Sequence, residues 1–214
     1  MVKLLIVDDH HIVRAAVSKM LADEEWIEIA GEAGSGEEAV AMARELEPDV
    51  VLMDIKMQGI GGLEATRKIV RMLPDCKVIA LSALIEETFA TRALEVGASG
   101  YLSKGTDPAE MVNAIRQVYH GQRYLSSEIA QKVALSRMSP GNENPFDGLS
   151  DRELQIALMV VNCQKVSDIS DKLFLSPKTV NTYRYRIFDK LQVSSDVELT
   201  HLAIRHKMID TESL

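Results

Sequence analysis

Strand and helix patterns alternate five times in the first 125 residues, and this alternation constrains the fold more than any other feature of the chain. Short runs of apolar and β-branched residues predict strands, and apolar residues at helical spacing between them predict helices. The predicted strands span 3–7, 27–32, 50–54, 78–81 and 100–102, and the predicted helices span 11–22, 36–46, 63–72, 86–96 and 108–119. Because strands joined by helices run parallel, we expect an α/β domain with a doubly wound, five-stranded parallel sheet.

The rest of the chain has no strand pattern. The sequence Ser-Pro-Gly-Asn-Glu-Asn-Pro at 139–145 interrupts every regular pattern and indicates a linker. Ser150 and Glu153 have the spacing of a capping box at the start of a helix, and Pro177 suits the first turn of another. We therefore predict an α/β domain over 1–122, a linker with a short helix over 123–147, and an all-α domain of four helices over 148–214.

Charge is distributed unevenly between these parts. The net charge is −8, and residues 1–125 hold 20 acidic against 13 basic residues, whereas residues 176–190 hold four basic residues and one acidic residue. A local positive charge on one helix suits binding to nucleic acid. No apolar run is long enough to span a membrane and the N-terminus lacks signal-peptide features, so we expect a cytoplasmic protein with no membrane partner. Cys76 and Cys163 lie among apolar residues and are expected to be buried, reduced thiols.

Five polar residues follow the predicted strands. Asp8 and Asp9 follow the first strand, Asp54 ends the third, Ser82 follows the fourth and Lys104 follows the fifth. Because the carboxyl ends of parallel strands share one edge of the sheet, these side chains are expected to converge there. An Asp-Asp pair on its own is more typical of a helix cap, but the combined placement favours a site. Clustered carboxylates suit Mg²⁺, beside which Asp54 can accept a phosphoryl group as an aspartyl phosphate.

A second motif points to a different chemistry. The segment Gly-Ser-Gly-Glu-Glu-Ala at 34–39 matches a dinucleotide-binding pattern, since it follows a strand and opens a helix. However, Glu37 and Glu38 would place two negative charges where a pyrophosphate must lie. The motif also follows the second strand rather than the first. We therefore expect no dinucleotide site here.

The basic helix predicted from Pro177 separates into two faces. Val180, Tyr183, Ile187 and Leu191 have the spacing of a core face. The residues assigned to DNA contact are Lys178, Thr179, Asn181, Thr182, Arg184, Tyr185, Arg186 and Lys190. Asparagine can read adenine and threonine a thymine methyl group, while the cations are expected to contact phosphates. Charge and spacing alone leave an ordinary solvated helix face equally open.

The site at the strand ends resembles the receiver domain of two-component response regulators, a flavodoxin-like fold. The resemblance is carried by Asp8-Asp9, Asp54, Ser82 and Lys104, with Tyr101 at the family's aromatic switch position. It implies that Asp54 is the phosphoacceptor, that Asp9, Asp54 and the Lys56 carbonyl bind Mg²⁺, and that Asp8 assists through water. Gln58 stands where the family usually has proline, so the loop after Asp54 lacks that constraint on φ.

The C-terminal domain resembles the LuxR-type helix-turn-helix domain. The similarity lies in Leu-Ser-Asp-Arg-Glu at 149–153 and Leu-Ser-Pro-Lys-Thr-Val-Asn at 175–181. Together with the receiver it implies the NarL/FixJ class of response regulators, and residues 61–68 and 176–188 are most similar to the GacA/UvrY/SirA group. This resemblance implies a sensor histidine kinase of BarA/GacS type as partner, a homodimer when phosphorylated, double-stranded DNA as ligand and small regulatory RNA genes as targets. We do not expect an enzyme.

Two other functions stay open from the sequence. One is a small-molecule phosphotransferase that uses the same aspartyl phosphate, although the short loops offer no substrate lid. The other is a DNA-binding module that acts without phosphorylation.

Overall fold

The computed structural model describes residues 1–82, 87–138, 144–206 and 208–209, and within these ranges the chain forms two compact units, Met1–Met138 and Ser139–Leu214. Residues 139–143 of the predicted linker, residue 86 of the predicted fourth helix and residues 210–214 of the predicted C-terminal domain lie outside the described ranges.

The first unit alternates strands and helices as predicted. Its strands are β1 Val2–Val7, β2 Ile27–Ala33, β3 Val50–Asp54, β4 Lys77–Ser82, β5 Gly100–Ser103 and β6 Tyr124–Leu125, and its helices are α1 His11–Ala22, α2 Gly36–Leu46, α3 Gly61–Met72, α4 Glu87–Glu95, α5 Pro108–Tyr119 and α6 Ser127–Met138. The predicted helices over 11–22, 36–46 and 108–119 have the observed bounds, and local signals mark the starts of α2 and α5, whereas α1 has no side-chain cap. Ser35 and Asp107, for example, cap α2 and α5 through hydrogen bonds from Glu38 N and Ala109 N.

All strands of the sheet are parallel, in the order β2-β1-β3-β4-β5-β6. The prediction of five strands was therefore one short. The sixth strand, Tyr124–Leu125, has only two residues, which is too few to show a periodic pattern, and it exists because it pairs with Gly100 and Tyr101 of β5. The strand order reverses beside β1, so the carboxyl ends of β1 and β3 meet at the switch point where ligands bind in such sheets.

Helices cover both faces of the sheet, so the central strands are apolar on both sides. Leu4 and Ile6 of β1 pack with residues of α1 and α5, whereas Leu5 and Val7 pack with residues of α2 and α3. Burial on both faces explains why β1, β3 and β4 are near-continuous apolar runs rather than alternating ones.

The second unit is all-helical, as predicted. A 3₁₀ turn at Pro145–Gly148 precedes α7 Asp151–Val161, α8 Val166–Leu173, α9 Pro177–Leu191 and α10 Asp196–Arg205. The predicted capping box is present: Ser150 Oγ accepts a hydrogen bond from Glu153 N, and Glu153 accepts one from Ser150 N. The turn between α8 and α9 passes through Phe174, whose φ is +53°.

The two cysteines differ in exposure. Cys76 is buried as expected, and desolvation raises the pKa of its thiol to about 12. The prediction that Cys163 is buried was wrong: it is exposed, because it lies in the turn after α7 with a φ of +57° rather than on the apolar face of that helix. Among the described residues, no helix has the length and apolar character needed to cross a membrane.

Candidate functional site

The carboxylates predicted to converge do so at the carboxyl edge of the sheet. Ligand atoms of Asp8, Asp9, His10 and Asp54 all lie within 4.8 Å of one another. They meet because β1 and β3 are neighbours and Val7 pairs with Met53, which places Asp8, the residue after β1, beside Asp54, the last residue of β3. Asp8 and Asp54 are only 2% and 1% exposed.

One lysine partly balances this charge. Lys104 Nζ lies 2.6 Å from Asp8 Oδ2 and 2.7 Å from Asp54 Oδ2. Burial alone would lower the pKa of Lys104, but the nearby carboxylates of Asp54 and Asp8 outweigh it and the pKa is raised. A single ammonium leaves three carboxylates with excess negative charge, and carboxylate oxygens fit a hard divalent cation. The exposed His10 adds one nitrogen beside them, with Nδ1 2.9 Å from Asp9 Oδ1. The residues present therefore match the donor chemistry of Mg²⁺.

The Asp54 carboxyl has a perturbed pKa. Burial raises it to about 6, although the Lys104 ammonium and the hydrogen bond from Lys56 N, 3.0 Å from Asp54 Oδ1, act in the opposite direction. Desolvation dominates because the Asp54 side chain is almost fully removed from solvent. At neutral pH the Asp54 carboxylate is therefore ionised, although burial destabilises this charged form. A carboxylate in this state is suited to act as a nucleophile.

Ser82 ends β4, the strand beside that of Asp54, and Tyr101 lies one strand further away, on β5. Asp54 pairs with Leu81 in the β3–β4 register, and Lys104 N donates a hydrogen bond of 2.8 Å to Ser82 O. Both Ser82 and Tyr101 are fully buried. The sheet thus brings Ser82, Lys104 and Asp54 to one edge, and Tyr101 lies in β5, the strand that precedes Lys104.

Two residues at this site were missed by sequence reasoning. Arg14 of α1 donates a hydrogen bond to the Asp8 carbonyl oxygen and pairs with Glu32 at 3.3 Å, so it holds the backbone of the acidic pair. Glu37 of α2 accepts a hydrogen bond of 2.9 Å from Ile60 N, in the loop after Asp54. No sequence signal links Glu37 to Ile60, since the contact spans 23 residues.

The Gly-Ser-Gly-Glu motif therefore has a packing role. A Cβ on Gly36 would lie within 3.0 Å of Gly61 O, so this glycine lets α2 approach the loop closely, and Glu37 then anchors it. A Cβ on Gly62, the residue after Gly61, would overlap the carbonyl oxygen of Asp54 at the start of the loop. The loop that lacks proline at Gln58 is held by these close approaches.

In the second unit, α9 has the predicted register. Val180, Ile187 and Leu191 are buried and Tyr183 is partly buried. On the other side, Lys178, Thr182, Tyr185 and Arg186 are exposed, while Thr179 and Asn181 are partly buried. In the described part of the chain, neither the Lys178 nor the Arg186 side chain has an ion-pair partner.

Two of the predicted phosphate contacts lie against their own domain instead. Lys190 Nζ is 2.7 Å from Glu153 Oε2 and donates to Gly148 O at 3.3 Å. Arg184 contacts both Asp196 and Asn181. Helical spacing alone does not show which side of α9 packs on α7 or α10, so these two contacts could not be predicted from the sequence.

The two units belong to known families. Residues 4–116 match the response regulator receiver domain, and residues 147–203 match the bacterial regulatory proteins of the luxR family. The chain therefore belongs to the two-component response regulators with a LuxR-type DNA-binding domain, and it is a transcription regulator of that class.

Relatives and a solved structure agree with this assignment. Over 214 residues the chain is 60% identical to the response regulator GacA of Pseudomonas syringae pv. syringae (strain B728a), covering 100% of both chains. Over 215 residues it is 54% identical to the response regulator UvrY of Escherichia coli (strain K12), covering 100% of this chain and 99% of UvrY. A solved structure of RcsB from Salmonella enterica serovar Typhimurium, bound to promoter rprA in the presence of phosphomimetic BeF₃⁻, matches this chain with a TM-score of 0.67. The match covers 94% of this chain and 97% of RcsB at 22% sequence identity, so the two proteins share the fold.

Proposed function

We propose that phosphorylation of Asp54 by a sensor histidine kinase of BarA/GacS type switches this regulator to a promoter-binding homodimer. The observation that carries the proposal is the buried Asp54 carboxylate, 2.7 Å from Lys104 Nζ and surrounded by two further carboxylates. In the reaction a carboxylate oxygen of Asp54 forms a bond to phosphorus as the P–N bond of the kinase phosphohistidine breaks. The histidine nitrogen keeps the electron pair of that bond.

The acidic cluster would hold Mg²⁺ through Asp9, Asp54 and the Lys56 carbonyl, with Asp8 assisting through water. When bound, the ion would offset the negative charge of the incoming phosphoryl oxygens. Lys104 already lies beside Asp54, so its ammonium can turn to a phosphoryl oxygen over a short distance. Ser82 would donate its hydroxyl proton to another oxygen, and Tyr101 would follow the change at Ser82.

The output would be DNA binding by α9. Exposed Lys178 and Arg186 would contact phosphates, with Asn181, Thr182 and Tyr185 at the base edges and Thr179 near the backbone. Full-length similarity to GacA and UvrY supports this assignment, and we propose small regulatory RNA genes as the targets and the cytoplasm as the location. The sequence-based domain limits, 1–122 and 148–214, form part of this proposal.

The test is phosphate incorporation and its effect on DNA binding. Full-length protein is treated with acetyl phosphate and Mg²⁺ and resolved on Phos-tag gels, and promoter binding is measured before and after. Asp54→Asn should abolish the gel shift and the gain in binding, whereas Asp75→Asn, at an exposed carboxylate, should change neither. Labelling of Asp54→Asn equal to wild type would contradict the site. Equal DNA binding with and without phosphate would favour the phosphorylation-independent module, and phosphoryl transfer to a small alcohol would favour the phosphotransferase.

A further inference from the structure

Arg184 differs from the other cations of α9 in its surroundings. Its side chain is 23% exposed, whereas Tyr185, the next residue along the helix, is 73% exposed. The guanidinium carbon lies 5.7 Å from the centroid of the Phe188 ring, one helical turn further along. Arg184 is thus directed along its own domain rather than outward, and a phosphate contact would require it to leave these partners.

Two hydrogen bonds hold the guanidinium in place. One nitrogen donates to Asp196 Oδ2 at 2.5 Å, and the other terminal nitrogen donates to Asn181 Oδ1 at 3.0 Å. Asp196 is the first residue of α10, whose start is fixed by the Ser195 cap. A planar guanidinium group with both terminal nitrogens hydrogen-bonded has little rotational freedom. Arg184 therefore connects the start of α10 to the amide of Asn181.

The contact with Arg184 determines how Asn181 presents its amide. A guanidinium has only donors, so the atom that faces it must be the amide oxygen. The oxygen keeps a second lone pair, but its direction is fixed by Arg184, so the two N–H groups are the less restricted part of the amide. Asparagine reads adenine by placing both its oxygen and its nitrogen against the base edge, since adenine offers one donor and one acceptor. Reading adenine would require the oxygen already held by Arg184 to accept a second hydrogen bond in the direction that this contact leaves open, whereas two donated hydrogen bonds require only the amide nitrogen.

We propose that Arg184 is a positioning residue that makes Asn181 a hydrogen-bond donor, so that this position of the helix selects guanine rather than adenine. Guanine offers two adjacent acceptors, N7 and O6, in the major groove, whereas the amino group of adenine would face an amide N–H. This inference rests on the proposed reading of bases by Asn181, and it replaces two sequence predictions: that Asn181 reads adenine and that Arg184 contacts a phosphate.

The experiment selects bound sequences from a randomised duplex library with the full-length protein, after treatment with acetyl phosphate and Mg²⁺. Asn181→Ala identifies the base pair that Asn181 reads, because the base preference is lost at that one position of the aligned selected sequences. This position is called the column below. Fluorescence anisotropy then measures affinity for duplexes with guanine or adenine at that column, at several salt concentrations. Arg184→Ala and Arg184→Lys are compared with Arg186→Ala, whose exposed side chain is assigned to a phosphate.

Wild type is expected to prefer guanine at that column. Arg184→Ala frees the amide to rotate, and the guanine-to-adenine preference should fall by about tenfold, with the log–log salt slope unchanged. Arg184→Lys keeps the charge but cannot hold both partners, so it should show the same change in preference even if the alanine variant folds poorly. Arg186→Ala should instead weaken all duplexes alike and reduce the salt slope by about 0.9.

Three results would overturn the inference. An adenine preference in wild type would show that the amide is not held as a donor. Arg184 would instead be a phosphate contact if Arg184→Ala weakened binding to all duplexes equally and reduced the salt slope, while Arg184→Lys left the base preference unchanged. If Asn181→Ala changes no column while wild type still selects a sequence, base reading by Asn181 fails and the inference with it. The receiver's role in phosphorylation is unaffected by that last outcome.

Discussion

Replacing the phosphoacceptor with its neutral isostere should stabilise the receiver in the absence of Mg²⁺. The pKa of Asp54 is about 6 in the folded protein, against 3.8 for an unperturbed carboxyl, and burial is the main cause. Raising the pKa of an acid favours its neutral form, so the associated stability is present below pH 3.8 and is lost as pH rises through about 6. A shift of this size corresponds to about 3 kcal/mol at pH 7.5 and to about half of that at pH 5.

Asp54→Asn removes the cost of ionisation without changing the size of the side chain. We therefore expect its free energy of unfolding to exceed that of wild type by up to about 3 kcal/mol at pH 7.5 in EDTA, with the difference falling toward pH 5. Urea unfolding followed by fluorescence measures this directly for the receiver, because Trp26 is the only tryptophan and packs against the core of that unit. Added Mg²⁺ should reduce the difference by stabilising wild type more than the variant.

The matched control is Asp75→Asn, which removes one carboxylate from an exposed position of the same unit. Its stability should stay within about 0.5 kcal/mol of wild type at both pH values. The reasoning is refuted if Asp54→Asn is no more stable than wild type in EDTA at pH 7.5. A stability gain that stays constant between pH 7.5 and pH 5 would equally refute it, because the gain would then not arise from ionisation of Asp54.

Three further results are expected. Gly62→Ala should destabilise the receiver by more than about 3 kcal/mol in the same urea titration, because its methyl group would overlap the Asp54 carbonyl oxygen. Gly34→Ala is the control: its methyl group meets only ordinary contacts, so it should cost less than about 1 kcal/mol. Lys190→Ala should lower the stability of the C-terminal unit by about 1–3 kcal/mol, because it leaves the buried Glu153 carboxylate without its ion pair. Circular dichroism measures this loss. The same variant should barely alter the salt slope of DNA binding. Burial acts to raise the pKa of Glu153, but hydrogen bonds from Lys190 and Ser150 outweigh it, so the pKa is lowered. The stability that this lowered pKa provides should therefore be lost as pH falls below about 4.5. Lys190→Ala should make this loss of stability smaller.

The sequence alone determined the architecture of both units, because the signals involved are local. Short apolar runs for the strands and period-3.6 patterns for the helices, with caps such as Ser35 and Ser150, define each element from residues close together in the chain. Parallel connection of the strands then requires Asp8, Asp54 and Lys104 to meet at one edge, whatever their separation along the chain. The same local logic placed Val180 and Ile187 on the buried side of α9.

Only the tertiary structure decided which partners these side chains meet. The two-residue strand Tyr124–Leu125 exists because β5 offers it an edge, and Cys163 is exposed because α7 ends before it. The contact of Glu37 with Ile60 spans 23 residues, and that of Arg184 with Asp196 spans 12, across a change of helix. The raised pKa of Asp54 depends on burial by elements distant in sequence. Such contacts depend on how helices pack rather than on the period of any one helix, so no local pattern contains them.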